Sequence, residues 1–370
     1  MDTTDESNVS FIANPLLIEY LKTSDNFESD YQMNATIKYS VLMFSYSVIF
    51  LVSLIGNSLV CKVILCGQTS RTLTNTLIAN LAISDLLMTI INIPFNIARF
   101  ILDNWPFGQV LCVLVPFTQS TSVHCSSISM MFIAIERYRI LVCNLHPTHH
   151  TYIFGHTISM AFILLGIWLM SALISIPHGI YNQVVEYDNI GHHLIRCRVV
   201  YPEPRDLFRQ RLTLLSFMTQ YLIPIVLTCG CYLRIGLFLW QRKIIGVISE
   251  IQRTTIIRIK RRRIKMLVLV VVVFAICWLP LNIYHLLTDF DAIDYSLTVF
   301  FITHCFAMSS VCYNPFIYCW LNKKFKQRVK NLMYCVSTRS QQSVSIPLNT
   351  FFDVVDVGPE IIESSVGDNH

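Results

Sequence analysis

An acid, a guanidinium and a phenol in a row, Glu136-Arg137-Tyr138, close an apolar run that opens beside Cys112. About 25 residues separate Cys112 from Arg137, and at about 1.5 Å per helical residue that is roughly 37 Å. The hydrocarbon of a bilayer is about 30 Å thick. One helix therefore sets a thiol at one membrane face and an ion pair at the other, an arrangement suited to reporting an event across the membrane. A second carboxylate, Asp85, lies inside the run Leu81-Ala-Ile-Ser-Asp85. A charge at membrane depth costs a few kcal/mol, so it marks a functional site by default. Asn57, Ser126, Asn314 and Trp278 stand at comparable depth in other runs. Asp85 with the oxygens of Ser126 and Asn314 suits a small hard cation such as Na⁺. A protonated Asp85 in a structural hydrogen-bond network is the alternative. Arg137 likewise has two readings: an interfacial anchor, or one corner of a polar cluster with Tyr232 and Tyr318.

These residues need apolar helices to carry them, and the composition supplies them. The 370-residue chain is 54% hydrophobic and 14% charged, outside the range of ordinary soluble domains. Spanning-length apolar stretches run near 39–66, 74–102, 109–142, 152–176, 208–240, 262–288 and 296–320. The expected fold is all-α: a seven-helix membrane bundle over 39–320, followed by a short amphipathic helix at 321–335. Pro94, Pro224, Pro280 and Pro315 fall within spans, where neighbouring helices can take up the freed backbone groups. Seven is the count that keeps every charge cluster out of the hydrocarbon.

Residues 241–265 carry nine Lys and Arg against Glu250 alone, and 322–330 adds Lys323, Lys324, Lys326, Arg328 and Lys330. These segments, with 67–73 and 139–151, are expected on the cytoplasmic side, and the N-terminus outside. The net charge of +5 is thereby an orientation signal. A basic run wedged between two spans, Arg258-Ile-Lys-Arg-Arg-Arg263, argues against nucleic acid as a partner. Residues 1–38 are polar, acidic and without a signal-peptide core, so the first span is expected to direct insertion. Asn8-Val-Ser and Asn34-Ala-Thr are glycosylation sequons in that segment. Of thirteen cysteines, most lie within spans as small hydrophobes, and only Cys112 and Cys197 fall at the outer face, where oxidation is permitted. One bridge between them ties the second outer loop to the third helix. No Cys/His spacing fits a metal site. Residues 336–370 form a polar tail, expected to be disordered.

Taken in order, the motifs resemble the rhodopsin-like (class A) family of G-protein-coupled receptors over about 39–335. They are Gly56-Asn57, Leu81-Ala-x-x-Asp85, Cys112 with Glu136-Arg137-Tyr138, Trp168, Pro224, Phe274 with Cys277-Trp-Leu-Pro280, and Asn314-Pro315-x-x-Tyr318 followed by Phe325. Trp105-Pro-Phe-Gly108, Pro177-His-Gly-Ile180 and Phe306–Trp320 are most similar to the group holding G-protein-coupled receptor 83 and the neuropeptide Y and tachykinin receptors. The resemblance implies that an agonist between the outer helix ends biases the sixth helix. Its inner end then swings outward about Pro280, under Trp278, and a heterotrimeric G protein enters with Arg137 in the floor of the cleft. Leu145 is the implied Gα contact, Cys335 a palmitoylation site, and the tail's serines and threonines an arrestin signal. No phosphate loop or catalytic constellation is present, so an enzyme is not expected. Two departures matter. Lys260 replaces the acid that often holds Arg137 at rest, which implies basal signalling, and Ser127 replaces a bulkier residue under the ligand.

The ligand class narrows by elimination. Gln119 stands where an amine receptor needs a carboxylate, and Met308 where an opsin needs a lysine. The runs Ile180–Tyr187 and Leu194–Tyr201, joined by Asp188-Asn-Ile-Gly191, predict a hairpin pinned by Cys197, as in peptide receptors of the family. Asp103, Glu186, Glu203, Asp206, Asp289, Asp291 and Asp294 make the mouth acidic. Asp289 matches the position that pairs with a ligand arginine in neuropeptide Y receptors. The resulting expectation is a peptide with a basic C-terminal region, Gln119 reading its amide and Asp289 its arginine, with Glu186 and Trp278 as further contacts. A non-peptide ligand or a mainly basal receptor is the alternative within the fold. A transporter or channel is the alternative outside it, although the halves show no internal repeat.

Overall fold

The computed structural model describes residues 15–65, 72–102, 104–143, 153–189, 192–241, 250–323 and 325–332. Helix α1 runs Pro15–Leu65. Helix α2 comprises Leu73–Leu87, a π turn at Met88–Asn92 and Ile93–Ile101. Helices α3 (Gly108–Leu141) and α4 (Ile153–Ile180) follow. Strands β1 (Asn182–Asn189) and β2 (His192–Val199) then form an antiparallel hairpin in which Val184 pairs with Cys197. Helix α5 comprises Arg205–Ser216, a π turn at Phe217–Leu222 and Ile223–Gln241. Helix α6 is Glu250–Asp289, and α7 is Leu297–Met308 and Ser310–Leu321, offset at Ser309. Residues 325–332 are helical again. Asn322 caps that stretch, its Oδ1 accepting the Phe325 N–H at 3.1 Å. The chain divides after Lys326 into two compact units; in the second, Gln327 donates to Asn331 at 3.2 Å.

Helix α1 packs on α2, α2 on α3, α3 on both α4 and α5, α5 on α6 and α6 on α7, and α7 returns to α1 to close the bundle. Two features add to the expectations from sequence. Helix α1 starts at Pro15, well before the expected 39, because no glycine or proline interrupts the polar segment after Pro15 itself. Its apolar spanning part is Ser40–Leu65. Among the described residues, six helices are both long and apolar enough to cross a membrane. The bundle's remaining member, α3, is 34 residues long but carries buried Ser120, Thr121, Ser122, His124, Ser126, Ser127 and Ser129. Packed against α2, α4 and α5, it turns these groups toward protein instead of lipid.

The prolines show how polar groups are met inside the bundle. A proline cannot donate to the carbonyl four residues earlier, and in hydrocarbon that carbonyl needs another partner. Pro94 and Pro224 are each preceded by a π turn, which re-registers the ladder where the bond is lost. Pro315 frees the carbonyl of Val311, and Asn57 Nδ2 on α1 donates to it at 2.9 Å. The two helices meet there at close range. A Cβ placed on Gly56 comes within 2.8 Å of Pro315 Cγ and 3.0 Å of its Cβ, so only glycine fits without a shift. Gly56→Ala should cost about 1–3 kcal/mol through overpacking against a rigid ring. Thermal unfolding of the detergent-solubilised protein should show a lowered midpoint, whereas Gly166→Ala, at a glycine facing open space, should leave it unchanged.

Candidate functional site

At the hairpin end the disulfide Cys112–Cys197 joins α3 to β2. Backbone bonds fix the hairpin further: Trp105 N–H donates to the Ile195 carbonyl at 2.7 Å, and Ile195 N–H to Asn104 Oδ1 at 2.9 Å. Gln109 spans the other strand, donating to the Asn182 carbonyl and accepting from Val184 N–H, each at 2.9 Å. Arg99 donates to the Cys197 carbonyl. Trp105 is buried with both cysteines, under Phe95, Phe107, Leu111 and Val184. An aromatic plug and a covalent bond thus hold the hairpin against the tops of α2 and α3.

Beside it lies a cavity of about 250 Å³ walled by α3, α4, α5, α6 and α7. Gln119, Trp278 and Asp289 all line it. Glu186 does not: it is exposed on β1, two residues nearer the turn than Val184. At the floor, Gln119 Nε2 stands 3.2 Å from His304 Nε2, and Tyr46 Oη 2.8 Å from His304 Nδ1. With the amide donating to the ring, the imidazole hydrogen sits on Nδ1 and points to the tyrosine oxygen. Tyr46 in turn donates to the Phe301 carbonyl at 3.5 Å. A chain of polar groups thus runs from α3 through α7 to α1. At the rim, Thr213 donates to Asp289, and Arg209 Nε lies 3.9 Å from Asp289 Oδ1. Tyr201, just past β2, completes that wall, and burial followed by the nearby Asp289 carboxylate pushes its hydroxyl up to about 12. The π turn of α5 contributes Phe217 and Gln220.

Halfway along the bundle Asp85 is buried. Its Oδ2 accepts from Asn314 Nδ2 at 2.9 Å and its Oδ1 from Ser126 Oγ at 3.5 Å; Ser126 also meets Ser84 Oγ at 2.8 Å. A space of about 10 Å³ bordered by Asp85, Ser126, Asn314, Trp278 and Ser310 is large enough for one water-sized occupant. The donor set fits a small cation through Asp85 Oδ1 and Ser126 Oγ. Asn314 turns its N–H toward the carboxylate and so orients Asp85. Trp278 Nε1 donates to Ser310 at 3.1 Å, and the Phe274 ring lies tilted against it one turn below, centroids 5.8 Å apart.

At the far end the groups around Arg137 are Arg263, Tyr232 and Glu136, and its Nε is buried without a hydrogen-bond partner. Tyr318 is buried nearer Asp85 and packs edge-on against Phe325 at 6.1 Å. The cluster anticipated from sequence thus contains Tyr232, while no hydrogen bond joins Arg137 to Tyr318 among the described residues. Tyr138 and Pro315 stand on α3 and α7 at the expected positions. Leu145, Asn8 and Cys335 lie outside the described residues, as do the side chains of Asn34 and Lys260. Thr213 and His304 in the cavity, with Tyr46 behind His304 and Arg209 beside Asp289, went unremarked in the sequence. A lone histidine or tyrosine in an apolar run reads as core, and only pairing across helices reveals more.

Residues 56–318 match the 7 transmembrane receptor (rhodopsin family). The RYamide receptor of Tribolium castaneum is 30% identical over 343 residues, 91% of this chain and 89% of that one. The RYamide receptor of Drosophila melanogaster is 33% identical over 84% of this chain and 66% of its own length. The neuropeptide Y receptor type 2 of Homo sapiens is 32% identical over 80% and 76% respectively. The chain belongs to the rhodopsin family of seven-transmembrane receptors and is a multi-pass membrane protein. That family is one of receptors and not of enzymes, and membership sets aside the transporter or channel.

Proposed function

We propose that this receptor binds a peptide with a C-terminal amide preceded by arginine and passes the event to a heterotrimeric G protein. The observation that carries the reading is the polarity of the cavity, neutral hydrogen-bonding groups at the floor and a carboxylate at the rim. Gln119 and His304 can exchange hydrogen bonds with a carboxamide, while a free carboxylate would lack a cationic partner there. Asp289 can take a guanidinium bidentately. The names of the relatives support the same chemistry: RYamide, read as residues, is arginine and tyrosine ending in an amide. The hairpin end faces the cell exterior at the plasma membrane. A ligand resting on Trp278 biases α6, and its far end parts from Arg137 to admit the Gα subunit. Against the expectation from sequence, Asp289 already has internal partners, so ligand arginine must compete for it.

Asp289→Ala should lower the potency of a synthetic peptide ending in Arg-Tyr-amide by about 2 kcal/mol, roughly 30-fold, in a calcium assay with a promiscuous Gα. The free-acid form should be weak on the wild type. Equal potency on the wild type and Asp289→Ala, at matched surface expression, would remove the arginine contact.

The cation reading of Asp85 is proposed with it. Na⁺ would be held by Asp85 and Ser126, supplying a positive charge that steadies the resting packing. Since an ion that binds the folded state alone stabilises it, replacing choline chloride by sodium chloride should raise the unfolding temperature of the purified receptor. In Asp85→Asn that difference should vanish; if it persists in full, the ion binds elsewhere.

Basal signalling is favoured by one observation: Arg263 on α6 acts on Arg137 as a like charge. Such a pair cannot clamp the resting state. Agonist-free activity should exceed that of mock-transfected cells, and Arg263→Glu, which supplies a partner for Arg137, should bring it down. Wild-type activity at the mock level, with surface expression verified, would contradict this.

A further inference from the structure

Arg209 lies in the second turn of α5, at the cavity rim. Its Nη2 is 2.8 Å from Asp291 Oδ1 and 3.5 Å from Asp206 Oδ1, and its Nε is 3.9 Å from Asp289 Oδ1. Three carboxylates thus share one guanidinium. The hold is uneven. The contact with Asp291 is a hydrogen bond, whereas Nε faces Asp289 across a gap too long for one and is buried without an acceptor. Asp291 reaches Arg209 because the chain turns sharply after α6. Its φ is +58°, a left-handed conformation that aspartate tolerates better than most residues, and its N–H closes on the Thr288 carbonyl at 3.3 Å. Thr213, one helical turn after Arg209, donates to the other oxygen of Asp289.

We infer that Arg209 is an internal stand-in for the ligand's arginine, a latch that holds Asp289 in the unliganded receptor and is handed to Asp291 and Asp206 when ligand arrives. This rests on the proposed pairing of Asp289 with a ligand arginine. The loose contact is the one to be broken and the short one is kept, so the handover leaves Arg209 compensated. Without the latch, Asp289 would face the cavity with Thr213 as its hydrogen-bond donor. The latch also links α5 to the end of α6, the helix whose movement signals binding.

The test uses full-length receptor in cells and two synthetic peptides, one ending in Arg-Tyr-amide and one with citrulline replacing that arginine. Arg209→Gln frees Asp289, and since a partly exposed pair is worth up to about 1 kcal/mol, potency for the arginine peptide should rise by up to about fivefold. Asp291→Asn removes the competing acceptor, tightens the latch and should lower potency for the same peptide. The citrulline peptide should respond to neither change, which separates the latch from general misfolding, and Asp289→Ala should erase both effects. Unchanged or reduced potency in Arg209→Gln, with Asp289→Ala still damaging, overturns the latch and leaves the arginine contact standing. Full potency in Asp289→Ala, or no wild-type response to either peptide, overturns that contact and the latch with it.

Discussion

A polar group buried in this bundle can look for a partner only within the protein, because hydrocarbon offers none. Pro315 makes the demand concrete. The carbonyl it releases on Val311 is taken by Asn57, and this is possible only because Gly56 lets α1 approach the proline ring. From there polar contacts continue through Ser53, Thr89 and the backbone of Asp85. Asn314, on the turn before Pro315, reaches the carboxylate itself. On α3, His124, Ser126 and Ser129 are likewise paired with groups on neighbouring helices.

Such a core favours switching over rigidity. Hydrogen bonds between helices are directional, and a small rotation of one helix exchanges partners where an apolar core would resist through volume alone. Trp278 and Ser310 bridge α6 and α7 directly beneath the cavity and above Asp85. Events at the cavity floor, on Gln119, His304 and Tyr46, are therefore one layer away from the carboxylate. At the far end Arg263 acts on Arg137 as a like charge, and α6 is tied to α7 through Arg262 and the Trp320 carbonyl at 2.8 Å.

The hairpin end follows the opposite principle. A disulfide, the buried Trp105 and paired contacts from Gln109 and Asn104 fix the hairpin to α3 before any ligand is present. A preformed mouth lowers the ordering cost of binding. At the rim the contacts are instead between side chains, Arg209 with Asp289 and Asp291.

Much of this was legible in the residues. Span lengths, the pairing of Cys112 with Cys197 and the depth of Asp85 follow from hydropathy and helical rise, which are local properties. The hairpin was legible from alternating β-prone runs around a turn, although its strands start and stop within two residues of expectation. The polarity of α3 was visible as serines, but its consequence depends on helices from other parts of the chain. Glu186 was read by charge as a pocket group, and its place along the strand put it outside. Asp289 was read correctly as a carboxylate at the mouth, but its engagement with Arg209 and Thr213 was not seen, since they lie on another helix. The sequence by itself determined which segments cross the membrane and which residue types sit at each depth, because burial in lipid is a property of a single helix. Only the tertiary structure decided which groups face one another across helices, because that depends on rotations and close approaches set jointly by all seven.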